Sequence, residues 1–105
     1  MFERISKLTI GNGDATSLVQ RIQSDLSPLV EGAAGFIAYT VAKIDDQTVW
    51  TVRLFRDSGS MDAETQANAA ITQALIDDFQ LTNETFVNGE ANIGIASVLT
   101  EEFLP

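Results

Sequence analysis

Two neighbouring runs of β-branched and aromatic residues constrain the fold of this chain more than any other feature. The runs are FIAYTVAKI at 36–44 and TVWTVRLF at 48–55, and residues of these types favour strands. Only the polar triplet DDQ at 45–47 separates them, which is the length of a short hairpin connection. The sequence therefore predicts an antiparallel β-hairpin in which Ile44 lies opposite Thr48.

Both faces of this predicted hairpin carry apolar side chains. Because successive strand residues point to opposite faces, even-numbered and odd-numbered residues separate in this register. The even face would hold Phe36, Ala38, Thr40, Ala42, Ile44, Trp50, Val52 and Leu54. The odd face would hold Ile37, Tyr39, Val41, Lys43, Val49, Thr51, Arg53 and Phe55. A different turn length would reverse the faces of one strand, but both faces would remain apolar.

Two further strands are predicted outside the hairpin. Residues 2–10, FERISKLTI, alternate roughly between polar and apolar types, which is the period of a half-buried strand. Residues 84–98 are predicted to form a long last strand, in which Gly89 and Gly94 are expected to mark bends or bulges.

Apolar residues at three- and four-residue spacing predict two amphipathic helices between these strands. Asp14 is the candidate N-cap of the first helix, and Pro28 is expected to end it near Ser27 and to open a separate turn. Ser58 or Ser60 is the candidate N-cap of the second helix. The apolar residues of the two helices are Leu18, Val19, Ile22, Leu26, Leu29 and Val30, then Ala63, Ala67, Ala70, Ile71, Ala74, Leu75 and Phe79.

The order β-α-β-β-α-β predicts a ferredoxin-like α+β fold, with an antiparallel sheet, in a single domain over residues 1–105. Both helices would cover one face of the sheet. The second face would then expose a larger apolar patch than soluble monomers normally show. We therefore expect a homodimer that forms through this open face. The alternative is a monomer whose tail or last strand covers it.

Absent residue types exclude several kinds of chemistry. The chain has no Cys and no His, which removes thiolate chemistry, the usual general base and the usual haem ligand. We expect no metal and no cofactor, because the adjacent acidic pairs are better explained as solvated surface. Those pairs are Asp45–Asp46, Asp77–Asp78 and Glu101–Glu102.

Charge and hydropathy bear on partners and location. The net charge is −9, with only six scattered Lys and Arg residues, so we expect no nucleic-acid partner. No apolar run approaches the roughly 18 residues of a membrane span. The first residues, MFERISK, lack the apolar core of a signal peptide. The expected location is therefore cytoplasmic, without membrane association.

The segment GFIAYTVAKIDDQTVWTVRLFRDSGSMDAETQANAAITQAL, residues 35–75, resembles the dimeric α/β-barrel superfamily, in particular its antibiotic-biosynthesis-monooxygenase-like branch. The resemblance lies in a GF-x-x-Y strand, a short acidic turn, a strand that ends in Phe55 and an Ala-rich helix. It implies two sheets that face each other across a dimer, with a small pocket between each sheet and its helices. Members of the branch include cofactor-independent monooxygenases of aromatic polyketides. The haem-degrading relatives use a His ligand, which this chain lacks.

Four residues, Trp50, Tyr39, Arg53 and Asn68, are the candidate ligand contacts, and two further asparagines are also considered. Trp50 could form an aromatic pocket wall, although a strand tryptophan is more often part of a core or an interface. Tyr39 and Arg53, opposite each other in the predicted hairpin, could bind an anionic or carbonyl group, or could form a cation–π pair. Asn68 could orient a ligand carbonyl, as could Asn88 and Asn92, although solvated amides are more common.

Two functional hypotheses follow. The first is a non-catalytic or small-ligand-binding dimeric module, whose ligand would be small and apolar or aromatic. The second is a cofactor-independent monooxygenase acting on a small aromatic substrate. The residues favour the first slightly, because no acid–base pair stands at a diagnostic spacing, and they leave open whether the protein is an enzyme.

Overall fold

The computed structural model describes residues 1–91. Its elements are β1 (Phe2–Ile10), α1 (Ala15–Arg21), a π-helical turn (Ile22–Leu26), α2 (Ser27–Glu31), β2 (Phe36–Asp45), β3 (Thr48–Phe55), α3 (Ser58–Ala67), α4 (Ala69–Phe79) and β4 (Leu81–Glu90). The strands form a sheet in the order β2-β3-β1-β4, and every neighbouring pair is antiparallel. The predicted ferredoxin-like α+β fold is confirmed.

The hairpin of β2 and β3 is confirmed, but its turn is one residue shorter than predicted. Asp45, rather than Ile44, pairs with Thr48. The Asp45 carboxylate accepts a hydrogen bond from the backbone N–H of Gln47 at 2.9 Å, which closes a tight turn without the third residue. A register shift between Lys43 and Asp45 absorbs the difference, so the residues from Ala38 to Lys43 keep their predicted faces.

A second irregularity lies at the start of β2. The register shifts between Phe36 and Ala38. Phe36 therefore leaves the even face predicted for it and pairs with Phe55, against which its ring packs edge-on at 5.9 Å between centroids. Ile37, placed on the odd face by the simple alternation, is 45% exposed at this irregularity.

The first helical segment begins as predicted and continues differently. The Asp14 side chain accepts a hydrogen bond from the N–H of Ser17 at 2.8 Å, which confirms the predicted N-cap. Before the predicted break at Ser27, the helix widens into the π-helical turn. Pro28 then lies in the first turn of the short helix α2, where its missing N–H is not needed.

The second predicted helix is divided at Asn68 into α3 and α4. The cap residue is Asp57, not Ser58 or Ser60, because the Asp57 carboxylate accepts a hydrogen bond from the N–H of Ser60 at 2.7 Å. The predicted cap is therefore wrong by one residue or more, since Ser58 and Ser60 already lie inside the helix.

The last strand, β4, starts at Leu81, earlier than predicted, because Gln80 ends α4 in the left-handed conformation (φ 49°) and turns the chain directly into the sheet. The bulge falls at Phe86, between Thr85 and Val87, and not at Gly89, which is paired in register. Gly94 and the later part of the predicted strand lie outside the described residues.

The helices cover one face of the sheet, and the hydrophobic core lies between the helices and this face. Fully buried core residues include Leu18, Val30, Val49, Phe55 and Met61. On the other face, which we call the open face, Ile44 is 57% and Phe86 53% exposed. No helix within residues 1–91 is long and apolar enough to cross a membrane.

Candidate functional site

The sheet register places four polar residues in one line on the helix-facing side. Tyr39 on β2 pairs with Arg53 on β3, Arg53 pairs with Arg4 on β1, and Arg4 pairs with Asn88 on β4. We call Tyr39, Arg53, Arg4 and Asn88 the polar row. It crosses all four strands beneath helix α3, which supplies the partners described below.

A cavity of about 160 Å³ lies between the sheet and the helices, beside the polar row. Its floor is the sheet, which contributes polar side chains and two leucines, namely Arg4, Arg53, Tyr39, Ser6, Thr51, Leu8 and Leu81. Its roof is mainly aliphatic and comes from the helical segments, with Leu18, Ile22, Leu26, Leu75 and Ile76. The cavity therefore has one wall that carries most of the polar groups and one mainly apolar wall, which suits a flat ligand with polar substituents.

Arg53 is held from two sides. Its Nη1 donates a hydrogen bond to Oε2 of Glu64 on α3 at 3.3 Å, and its guanidinium lies 5.1 Å from the centroid of the Tyr39 ring. The Arg53 and Glu64 side chains are 14% and 1% exposed. A guanidinium has five N–H donors, and the bond to Glu64 uses one of them. Others remain available to a molecule in the cavity.

Only one of the two carboxylate oxygens of Glu64 is hydrogen-bonded. Its second carboxylate oxygen, Oε1, is buried and has no hydrogen-bond partner among the described residues. Leaving a buried charged oxygen unpaired costs stability.

Arg4 is fixed mainly by neutral groups. Its Nε donates to Oδ1 of Asn88 at 3.0 Å, and its Nη1 donates to Oγ1 of Thr65 at 3.2 Å. Among the described residues, Asp62 has the only carboxylate within 4 Å of the Arg4 guanidinium, at 3.7 Å from Nη2. Asp62 is 63% exposed, so this ion pair is a weak one.

The Tyr39 hydroxyl is a hydrogen-bond donor at neutral pH. Burial raises the pKa of the Tyr39 phenol above its ordinary value, although the adjacent Arg53 acts in the opposite direction. The phenol therefore stays protonated under physiological conditions and can donate to an oxygen of a bound molecule.

The structure brings together two of the four residues singled out from the sequence. Tyr39 and Arg53 line the cavity. Trp50 lies on the open face, where its ring stacks on Phe86 with centroids 5.2 Å apart and planes 14° apart. Asn68 lies at the junction of α3 and α4, where its backbone N–H donates to the carbonyl of Glu64 at 3.0 Å, and it does not line the cavity.

Asn88 and the acidic pairs Asp45–Asp46 and Asp77–Asp78 do not line the cavity, and Glu101–Glu102 lies outside the described residues. Asn88 contacts the site only by accepting the hydrogen bond from Arg4, and Asn92 lies outside the described residues. Within residues 1–91, no group of three or more acidic, His or Cys side chains is arranged to hold a metal ion.

Sequence reasoning missed Arg4 and Glu64. The signal for Arg4 was its position in the alternation of β1, because it shares a face of the strand with Ser6 and Ile10, which are buried against the helices. The signal for Glu64 was its spacing, since it follows the buried Met61 by three residues on one helix face. Both signals require knowing which face of each element is inside.

No family model matches the sequence, and no curated protein matches it either. Solved structures do. SnoaB, a cofactor-independent oxygenase from Streptomyces nogalater, superposes with a TM-score of 0.68 at 11% identity, over 87% of this chain and 93% of that one. The ActVA-Orf6 monooxygenase of Streptomyces coelicolor, solved with nanaomycin D, gives 0.65 at 16% identity over 87% and 89%. The chain has the fold of the antibiotic biosynthesis monooxygenases.

A third structure carries the same fold. It is a protein from Deinococcus radiodurans assigned to the antibiotic biosynthesis monooxygenases, with a TM-score of 0.63 at 16% identity over 88% of this chain and 96% of that one. The likeness to the antibiotic-biosynthesis-monooxygenase-like branch, predicted from residues 35–75, is confirmed at the level of the fold.

Proposed function

We propose that this protein is a small-ligand-binding homodimer that holds one oxygen-bearing aromatic ring in the cavity of each subunit. The observation that carries the proposal is the cavity itself, about 160 Å³ in volume with a polar floor and an aliphatic roof. An engineered apolar cavity of about 150 Å³ accommodates benzene. The space is therefore suited to a single ring rather than to a fused polycyclic molecule.

The roof and the floor of the cavity offer different contacts to a ligand. The roof residues Leu75 and Ile22 offer aliphatic contact to the face of a ring. The floor residues Arg53, Tyr39 and Thr51 offer N–H and O–H donors to its oxygen substituents. A ring with at least one acceptor oxygen satisfies both walls, whereas a hydrocarbon would leave the floor donors desolvated and unpaired.

The open face supports the dimer. Trp50 and Phe86 stack across β1 on this face. Phe86 is nevertheless exposed, as are the apolar side chains of Ile44 and Val87. A second copy of the chain, related by a two-fold axis, would cover the same surface in both subunits. Two such sheets packed face to face form the dimeric α/β barrel that the resemblance implies.

Cofactor-independent oxygenation is the second candidate function. It is favoured by the fold that this chain shares with SnoaB and the ActVA-Orf6 protein. In this reaction an electron-rich aromatic substrate itself reduces O₂. One oxygen atom of O₂ becomes a ring carbonyl. The other leaves as water with two hydrogens of the substrate, one from the phenolic hydroxyl and one from the oxidised ring carbon. Arg53 would stabilise the substrate oxyanion, and the roof would exclude bulk water.

Calorimetric titration with phenol tests the binding proposal. We expect a dissociation constant of roughly 0.1 to 10 mM, in keeping with so small a ligand. Leu75→Trp, which fills the cavity, should abolish binding. Leu29→Trp is the matched control, because Leu29 is 43% exposed and outside the cavity. Unchanged binding by folded Leu75→Trp would contradict the proposal.

Oxygen uptake with resorcinol, an electron-rich phenol of a single ring, tests the second candidate. An oxygenase should consume O₂ without any added cofactor, and Arg53→Gln should lower the rate by roughly 10² to 10³-fold, as for the loss of one oxyanion donor. Binding without oxygen consumption would leave the non-catalytic module as the function.

A further inference from the structure

The polar row concentrates positive charge in an acidic protein. Arg4 and Arg53 stand directly opposite each other on β1 and β3, and like charges at such positions repel. They are two of only six basic residues in a chain of net charge −9. Both line the same cavity. A fold that needed only stability would not gain from this arrangement.

The two acids that balance these arginines are not equivalent. Glu64 is 1% exposed and lies 3.3 Å from Arg53, so this pair is shielded from solvent. Asp62 is 63% exposed and lies 3.7 Å from Arg4, beyond hydrogen-bonding distance. Its attraction is weakened by solvent and by salt.

The Arg4 guanidinium therefore has no buried carboxylate within 4 Å among the described residues. The guanidinium of Arg4 is held in place by Asn88 and Thr65, so it would keep its position if Asp62 turned away. A carboxylate that approached from the cavity would make charge-assisted hydrogen bonds of the kind that arginine forms best.

Building on the proposed function, we infer that the cavity selects an aromatic ring with one anionic oxygen group, which binds Arg4 in exchange for Asp62. Arg53 is neutralised by Glu64 and donates a hydrogen bond without adding net charge. Arg4 then supplies the charge that distinguishes an anion from a neutral analogue. Aromatic monocarboxylates are the simplest ligands of this class.

Benzoate and benzyl alcohol, titrated calorimetrically at neutral pH, test this inference. We expect benzoate to bind at least tenfold more tightly than benzyl alcohol. Arg4→Gln should reduce benzoate affinity at least tenfold and leave benzyl alcohol within twofold, and Arg4→Lys should restore part of the loss.

Asp62→Asn gives the sharper result, because it removes the competing carboxylate. We expect benzoate affinity to rise two- to fivefold, with benzyl alcohol unchanged. Asp46→Asn is the matched control, since it makes the same change of charge at an exposed turn (side chain 86% exposed) away from the cavity. It should leave both affinities within twofold. This variant pair decides the question even if Arg4→Gln does not fold.

The outcomes separate the two proposals. Equal affinities for benzoate and benzyl alcohol, or an unchanged or lower benzoate affinity in Asp62→Asn, would overturn the charge selection while leaving the cavity as a binding site. A failure of both ligands to bind would remove the proposed function as well.

Discussion

At the scale of single residues, the buried pair of Arg53 and Glu64 is the most sensitive point of the molecule. Glu64→Gln would leave the Arg53 charge without its buried partner, and we expect a loss of about 3 to 5 kcal/mol in the free energy of unfolding. Urea denaturation measures it. The double variant Arg53→Met/Glu64→Leu should recover most of that loss, because apolar residues fill the space without buried charge. A double variant as unstable as Glu64→Gln alone would contradict this explanation.

Tyr39 gives a prediction on the alkaline side. Burial raises its pKa in the folded protein above the ordinary value of 10.0. As the pH rises past that value, the unfolded chain loses the phenolic proton first, so the contribution of Tyr39 to stability declines. The chain has one tyrosine, so tyrosinate absorbance reports this group alone. Its midpoint should lie above that of the urea-unfolded chain, and Tyr39→Phe should flatten the alkaline loss of stability.

The residue scale also shows where sequence reasoning succeeds. Tyr39 and Arg53 were placed opposite each other by counting back from the predicted turn. The structure confirms that pair, because the register shift between Lys43 and Asp45 compensates for the shorter turn. Arg4 and Glu64 were not predicted as site residues, because their positions beside the cavity depend on how β1 and α3 pack. Packing between distant elements is not encoded in local periodicity.

At the scale of elements, Asp57 rather than a neighbouring serine starts α3. The backbone N–H of Ser60, followed by the Ser60 side chain, lowers the pKa of the Asp57 carboxyl. Its stabilising effect is therefore present above the ordinary value of 3.8 and declines as the pH falls through the lowered one. Asp57→Ala should lower the melting temperature at pH 7 and should differ less from wild type at pH 2.

Ser58→Ala is the control for this cap, because Ser58 lies within α3 and is exposed. We expect its melting temperature to stay near that of the wild type at both pH values. A larger loss in Ser58→Ala than in Asp57→Ala would place the cap where the sequence had suggested it.

The same scale shows why element boundaries were harder to predict than element types. The hairpin turn, the bulge at Phe86 and the π-helical turn each depend on one local choice of hydrogen bonds. Strand alternation and helical spacing do not detect such choices. Moving the end of an element by one residue adds or removes only one position of a long apolar pattern. The order of elements was therefore predictable, and the exact ends were not.

At the scale of the whole molecule, the open face determines the oligomeric state. Phe86→Glu places a charge on a side chain that is 53% exposed in the single subunit, so the isolated subunit should still fold. In the proposed dimer that charge would be buried, at a cost that should raise the dissociation constant at least a hundredfold. Sedimentation velocity measures the change.

Leu29→Glu is the control for this substitution, since Leu29 is 43% exposed but belongs to helix α2, on the covered side of the sheet. It should sediment as the wild type does. A wild-type protein that sediments as a monomer at micromolar concentration would remove the dimer from the account.

The proposed function requires that the cavity between the sheet and the aliphatic roof binds an aromatic ligand. Nuclear Overhauser effects between the ring protons of bound phenol and methyl-labelled protein test it most directly. We predict contacts to the methyl groups of Leu75, Ile22 and Thr51, which line the cavity. Contacts confined to Val52 and Leu54, which belong to the open face, would contradict the account.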